Sequence, residues 1–160
     1  MNLQEILRLK GTDVRKIEPQ ATLDAVVREL VRHNIGSLVV CEPDVADAMP
    51  HIVGIITERD ILRSQAGAEA PLEQLRVAGV MARRLVTASP DDSIEHAMGQ
   101  MTRQRVRHLP ILTDGRLLGV VSIGDVVKAQ YDALVIENHF LRCYIGGEGG
   151  EAASDRISWD

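Results

Sequence analysis

A short stretch that runs from apolar residues into the predicted start of a helix occurs twice, as Gly54-Ile-Ile-Thr-Glu-Arg-Asp60 and as Gly119-Val-Val-Ser-Ile-Gly-Asp125. The two stretches are 65 positions apart. A second shared block lies upstream of each, where Thr22 and Ser93 stand 71 positions apart and each follows a proline by three residues. Two blocks in the same order predict that the 160 residues contain two copies of one structural unit.

Both copies predict the same order of secondary structure. Thr22 and Ser93 are typical helix N-caps, and apolar residues follow each of them at helical spacing. Two apolar, largely β-branched runs come next, joined in the second copy by an Asp-Gly pair that is typical of a hairpin turn. A further helix is predicted to begin at Thr57 or Ser122. The predicted hairpin strands are Ser37–Cys41, Ile52–Ile56, Leu109–Leu112 and Leu117–Val121.

Each copy is therefore a short strand, a helix, a hairpin and a helix in about 60 residues, which is marginal for a stable core, so we expect the copies to share one. A short amphipathic helix is predicted over Leu3–Leu9, and the last helix is predicted to continue to about Tyr144. The predicted division is 1–75 and 76–130 for the two copies, 131–145 for a helical extension, and 146–160 for a disordered glycine-rich acidic tail.

Composition excludes several classes of function. The net charge of −5 does not suit a duplex-DNA binder, and 2% aromatic residues cannot supply the stacking surfaces that single-stranded nucleic acids need. No apolar run approaches the length of a membrane span, and the N-terminus lacks the pattern of a secretory signal. We therefore expect a cytoplasmic protein that binds neither nucleic acid nor membrane.

Catalytic and metal-binding patterns are also missing from the sequence. No phosphate-binding loop, zinc-protease motif or serine-nucleophile motif occurs, and the two cysteines have no metal-ligand spacing. Cys41 lies in an apolar strand and is interpreted as a core residue. The sequence thus predicts a protein that is not an enzyme, has no metal site and requires no cofactor.

The repeated motifs, together with Arg107-His-Leu-Pro-Ile111 and Val80-Met81, resemble the CBS-domain family, named after cystathionine β-synthase, and in particular its stand-alone bacterial pairs. The resemblance implies an α/β (α+β) fold in which two βαββα units pack about a pseudo-twofold axis. It further implies clefts that hold adenosine-containing ligands such as AMP, ATP, S-adenosylmethionine or NAD. The expected function is a regulatory, energy-sensing module that acts on an unidentified effector protein.

Two Ser/Thr–Asp pairs are the first candidates for ligand contacts. Thr57 with Asp60, and Ser122 with Asp125, have the spacing of a capping box, which satisfies backbone donors at the start of a helix. The resemblance implies a second use, in which Asp60 and Asp125 accept both hydroxyls of a ribose and the Ser/Thr hydroxyl meets a phosphate. The two uses are compatible.

Cationic and base-lining candidates complete the predicted site. Arg59 directly precedes Asp60. The other basic candidates are spaced by two, so that an extended segment would place them on one side as phosphate ligands: Arg103, Arg105 and Arg107. The alternative is a solvated basic edge. The resemblance places Thr87, His108 and Pro110 around an adenine, whereas the first copy has Lys16, Ser37 and no proline at the matching positions. Lys16 then serves a phosphate, or that cleft holds no ligand.

Apolar residues on the last helix suggest how the chain assembles. Val127, Leu134 and Leu141 recur every seven residues, with Tyr131, Asn138 and Ile145 at the offset of four. This spacing is typical of a helix–helix seam and, with the family's habit of dimerising, predicts a homodimer. In the alternative the helix folds back over its own core.

A second function of the protein also stays open. The chain would then be a structural dimerisation module whose ligand clefts are vestigial.

Overall fold

The computed structural model describes residues 1–43, 51–67 and 70–145. Most of the loop between Cys41 and Ile52, and the whole predicted acidic tail, lie outside the described residues. The order of elements confirms the repeat and the α+β class. In chain order they are α1 (Leu3–Lys10), β1 (Lys16–Ile17), α2 (Leu23–His33), β2 (Ser37–Cys41), β3 (Ile52–Thr57), α3 (Glu58–Gly67), a 3₁₀ turn (Val77–Gly79), α4 (Ile94–Gln104), β4 (His108–Thr113), β5 (Arg116–Ser122) and α5 (Ile123–Ile145).

The chain divides into two compact units, Met1–Val126 and the part from Val127 onward. The first unit holds the first copy and the second copy up to Val126, and the second unit consists, in its described part, of the remainder of α5. No helix among the described residues has the length and hydropathy of a membrane span.

Two small sheets correspond to the two copies. In the first, β2 pairs antiparallel with β3 and parallel with β1; in the second, β4 pairs antiparallel with β5. The counterpart of β1 in the second copy is a single parallel bridge between Ala88 and Ile111, shorter than the predicted strand. The bridge is held by two backbone hydrogen bonds, from Ala88 N to Pro110 O at 3.1 Å and from Leu112 N to Ala88 O at 3.0 Å.

The helices that follow the predicted N-caps begin and end in the same way. Thr22 Oγ1 accepts from Ala25 N at 3.2 Å, and Ser93 Oγ accepts from His96 N at 3.1 Å. Their C-caps, Asn34 and Arg105, are left-handed, with φ of 49° and 55°. A left-handed residue turns the chain so that backbone amides at the helix end donate to the last helical carbonyls. Each helix therefore ends just before its strand.

The predicted row of three arginines is therefore wrong. Arg103 lies inside α4, Arg105 is the left-handed cap, and Arg107 directly precedes β4. Residues spaced by two lie on one side of the chain only where the backbone is extended. Here the backbone is helical, because α4 continues through Gln104.

Each copy is covered by a closing segment, a short stretch that packs on it but comes from the other half of the sequence. Helix α1 packs on the second copy, where Leu3 N donates to Asp92 O at 3.0 Å and Leu7 covers Gly119. The 3₁₀ segment packs on the first copy in the matching manner, where Val77 N donates to Ala21 O at 2.9 Å. The buried cluster of the first copy accordingly includes Val77 and Met81 besides Leu23, Val26, Leu30, Leu38, Val40, Ile56 and Ile61.

Candidate functional site

A cavity of about 300 Å³ opens between the two copies. The first copy contributes the segment before β1, the link from α2 to β2, and the first half of β2. The second copy contributes the facing ends of β4 and β5, and α1 contributes its last residue. The lining residues are Lys10, Asp13–Arg15, Asn34–Ser37, Val39, His108, Val120 and Ser122.

The β4–β5 register brings two predicted residues into this cavity. His108 and Ser122 are cross-strand partners at the end of the hairpin, so both side chains lie on the same face. The starts of β2 and β4 also face each other, because a Cβ at Gly36 would lie 3.7 Å from His108 Cε1. Ser37, next to Gly36, thereby joins the same lining although it is far away in sequence.

Both predicted capping boxes are present. Asp125 Oδ2 accepts from Ser122 N at 2.7 Å and from Ser122 Oγ at 2.8 Å. Asp60 Oδ2 accepts from Thr57 N and from Thr57 Oγ1, both at 2.9 Å. Each aspartate therefore closes the first turn of its helix with one oxygen, which leaves a ligand role for the other oxygen geometrically compatible with capping.

The two aspartates differ in their electrostatic surroundings. Lys10 Nζ lies 2.6 Å from Asp125 Oδ2, and the side chains are 37% and 25% exposed. Burial by itself raises the pKa of Asp125, but the hydrogen bonds from Lys10 and Ser122 outweigh it, so the pKa of this carboxyl lies below its usual value. Asp125 is thus held ionised beside the cavity by a cation from α1.

His108 is kept neutral in the same place. Burial lowers the pKa of His108 below its ordinary value, the nearby Lys10 ammonium lowers it further, and Asp125 and Glu58 offset this only in part. A neutral imidazole offers one donor and one acceptor. His108 can therefore hydrogen-bond a ligand, but it supplies no positive charge at neutral pH.

Three of the predicted site residues, Ser37, His108 and Ser122, line the cavity, and Asp125 is bonded to its lining. The cavity combines β2 of one copy with β4–β5 of the other. Pro110 is buried inside β4, and Arg59 and Lys16 are exposed. The predicted residues outside this lining are Lys16, Thr57, Arg59, Asp60, Thr87, Arg105, Arg107 and Pro110.

Sequence reasoning missed the charged part of the lining, above all Lys10. A basic residue at the end of a helix is ordinarily interpreted as a partner of the helix dipole. Its contact with Asp125, 115 positions later, depends on α1 packing on the second copy, and no local pattern reveals that packing. Asn34 carried a signal that could have been used, since asparagine is enriched at left-handed C-caps.

Cysteines and possible metal ligands are the other reactive groups of interest. Cys41 is buried in β2, as predicted, and burial raises the pKa of its thiol, although Lys16 partly opposes this. Within the described residues, no group of three or more His, Cys, Asp or Glu side chains could hold a metal ion. The cavity therefore combines an ionised carboxylate, a lysine and a neutral histidine with apolar walls, an arrangement suited to binding.

Comparison with known proteins agrees with this architecture. The CBS domain matches the sequence at residues 6–67 and again at 77–132. The mitochondrial CBS domain-containing protein CBSX3 of Arabidopsis thaliana is 37% identical over 79% of this chain, which spans 61% of that protein. The crystal structure of the CBS-domain containing protein ATU1752 from Agrobacterium tumefaciens is 35% identical and has a TM-score of 0.75, covering 81% of this chain and 99% of that one.

A further solved structure, the CBS domain protein PAE2072 from Pyrobaculum aerophilum complexed with AMP, is 27% identical with a TM-score of 0.67. It covers 78% of this chain and 89% of that one.

Three findings lead to one conclusion. They are the repeat in the sequence, the two-copy α+β structure and the family match over both copies. The chain belongs to the CBS-domain family and carries a tandem pair of its repeats.

Proposed function

We propose that this protein is a non-enzymatic regulatory module that binds an adenine nucleotide between its two CBS copies. The observation that carries the proposal is the cavity between the copies, bordered by the ionised Asp125. A CBS domain protein with 27% identity to this chain is complexed with AMP, which supports an adenosine-containing ligand in general.

The lining suits the parts of a nucleoside. Val14, Ile35, Val39 and Val120 supply apolar walls against which a base can pack. The second oxygen of Asp125 is suited to accept from ribose hydroxyls, since Oδ2 already serves the helix cap. A volume of about 300 Å³ is at the lower end for ligand sites, which favours a mononucleotide over a dinucleotide such as NAD.

The second candidate function is assembly. Helix α5 exposes several large apolar side chains beyond Val126, among them Tyr131, Leu134, Phe140 and Leu141. An exposed apolar surface of this kind is typical of a contact with another protein. We propose that this helix joins two copies of the chain into a homodimer, and that ligand binding and assembly together serve an effector protein.

The nucleotide proposal is tested by native mass spectrometry of the freshly purified protein, followed by thermal unfolding with added AMP, ATP and NAD. A ligand that binds only the folded state raises the melting temperature with its concentration. We expect AMP or ATP to produce this rise. A melting temperature that is unchanged by all three, with no co-purified nucleotide, would favour a purely structural role.

A further inference from the structure

Lys10 connects α1 to the cavity in a way that the family resemblance did not predict. Its Nζ donates to Asp125 Oδ2 at 2.6 Å and to the backbone oxygen of Val120 at 2.9 Å. The side chain also lines the cavity and is 37% exposed. The ammonium is therefore fixed in position by two protein acceptors while it faces the space where a ligand would lie.

The number of donors on Lys10 leaves one for a ligand. A lysine ammonium carries three N–H donors and no acceptor. Two of them are directed to Asp125 and Val120. The third can reach an acceptor in the cavity, and a negatively charged oxygen is the acceptor that binds an ammonium most strongly.

The other cationic groups are less suited to this task. Arg15 lines the cavity, but its side chain is 49% exposed and its guanidinium lies 3.7 Å from Asp13, a longer contact than the two that hold Lys10. The predicted phosphate ligands lie outside the lining, namely Lys16, Arg59, Arg105 and Arg107.

The charges around the cavity also balance, because Lys10 and Arg15 face Asp125 and Asp13. A balanced set of charges attracts an anion only weakly at long range. Any preference for a phosphate must then arise from a donor at contact distance, and Lys10 is the donor that is already held there.

We propose that Lys10 determines the specificity of the cleft, because its remaining N–H binds a phosphate oxygen and thereby favours a nucleoside phosphate over the free nucleoside. The inference rests on the proposed binding of an adenine nucleotide and adds which chemical group of the ligand is selected, and by which residue. It also moves the phosphate contact from the predicted arginines to a residue on α1.

Calorimetric titration of the full chain with AMP and with adenosine tests the proposal. We expect the wild-type protein to bind AMP more tightly, and Lys10→Met to reduce that preference by about 10–100-fold, the effect of one hydrogen bond to a charged group. Lys10→Arg should retain most of the preference. Arg8→Met, on an exposed position of the same helix, should leave both affinities unchanged.

Each alternative outcome is decisive. Equal losses of AMP and adenosine affinity in Lys10→Met would show that Lys10 acts only by holding Asp125, and would overturn the inference. So would a wild-type protein that binds AMP and adenosine equally well, whether or not any variant folds. A wild-type protein that binds neither ligand would overturn the proposed function itself, and with it the inference.

Discussion

Leu7 of α1 lies over Gly119 of β5 so closely that a Cβ at Gly119 would be 2.7 Å from Leu7 Cδ2. The first copy repeats this contact, since a Cβ at Gly54 would lie 2.6 Å from Met81 Sδ. The glycine of the repeated motif is thus the place where a closing segment approaches the sheet. Because α1 closes the second copy and the segment around Met81 closes the first, the halves of the sequence depend on each other.

Cutting the chain between residues 75 and 76 should therefore leave neither half folded. Residues 1–75 lack Val77 and Met81, and residues 76–145 lack α1. A sharper comparison is the fragment 12–84, which keeps the first copy together with its own closing segment. We expect 12–84 to show more helix by circular dichroism than 1–75. A cooperative thermal transition in 1–75 that matches that of 12–84 would contradict the exchange of closing segments.

The contribution of α1 to stability can be measured directly. Leu7 is 2% exposed, and truncating a buried leucine to alanine costs about 2–5 kcal/mol through lost burial and the cavity left behind. Leu9, on the same helix, is 83% exposed and provides a matched control. Urea unfolding of Leu7→Ala should show a loss in that range, whereas Leu9→Ala should change the free energy of unfolding by no more than about 0.5 kcal/mol. Similar values for both variants would show that α1 does not close the second copy.

The elements that could be predicted from the sequence are those that depend on local signals. The N-caps Thr22 and Ser93, the apolar periodicity behind them and the Asp-Gly turn are local signals, so the order of helices and hairpins followed from them. Arg105 was misplaced because its left-handed conformation is unusual for arginine, and the residue type carries no hint of it.

The site was predicted less completely for a different reason. The motif residues Ser122 and Asp125 were identifiable because they recur, but the repeat does not reveal which copy's strand faces which. The cavity pairs Ser37 with His108 and Ser122, residues of different copies, and adds Lys10 from a helix outside the repeat. Only tertiary packing brings these groups together, so the motifs alone could not show that they share one cavity.

Stability should fall as the pH is lowered, with two contributions. The pKa of His108 is lower in the folded protein than its usual 6.5, so below that pH the unfolded chain binds a proton that the folded chain does not. The free energy of unfolding then falls as the pH drops from about 6.5 toward the folded pKa. The lowered pKa of Asp125 has the same sign, but it acts only below its usual 3.8.

Urea unfolding from pH 7 to pH 3, compared between wild type and His108→Gln, separates the two contributions. The variant should lose the decrease that begins near pH 6.5 and keep the one at lower pH. A wild-type stability that rises as the pH falls through 6.5 would show that the histidine is not buried in its neutral form.

Asp125 and Asp60 give a matched pair for the ligand site. Both cap a helix in the same way, so replacing either by alanine removes a capping box, but only Asp125 is bonded to the cavity lining. We expect Asp125→Ala to weaken AMP binding by about 10–100-fold, as hydrogen bonds to a charged acceptor are lost. Asp60→Ala should have a much smaller effect by calorimetry. Equal affinities in both variants and the wild type would exclude the proposed site.

The second half of α5 should mediate self-association. Leu134 and Leu141 are 54% and 51% exposed and recur every seven residues, as in a helix–helix seam. Asn138, predicted at a polar position of that seam, donates from Nδ2 to Leu134 O within its own helix at 3.1 Å, so its amide is partly satisfied before any partner binds. Placing charges on the seam would bury them without partners, at a cost of several kcal/mol per ion.

Sedimentation equilibrium of a Leu134→Glu, Leu141→Glu double variant therefore measures the role of this helix. We expect a clear loss of dimer relative to the wild type. Ala133→Glu, which lies outside the seven-residue pattern on the same exposed helix, controls for charge alone and should leave the association constant largely unchanged. A double variant that dimerises as tightly as Ala133→Glu would mean that Leu134 and Leu141 take no part in assembly.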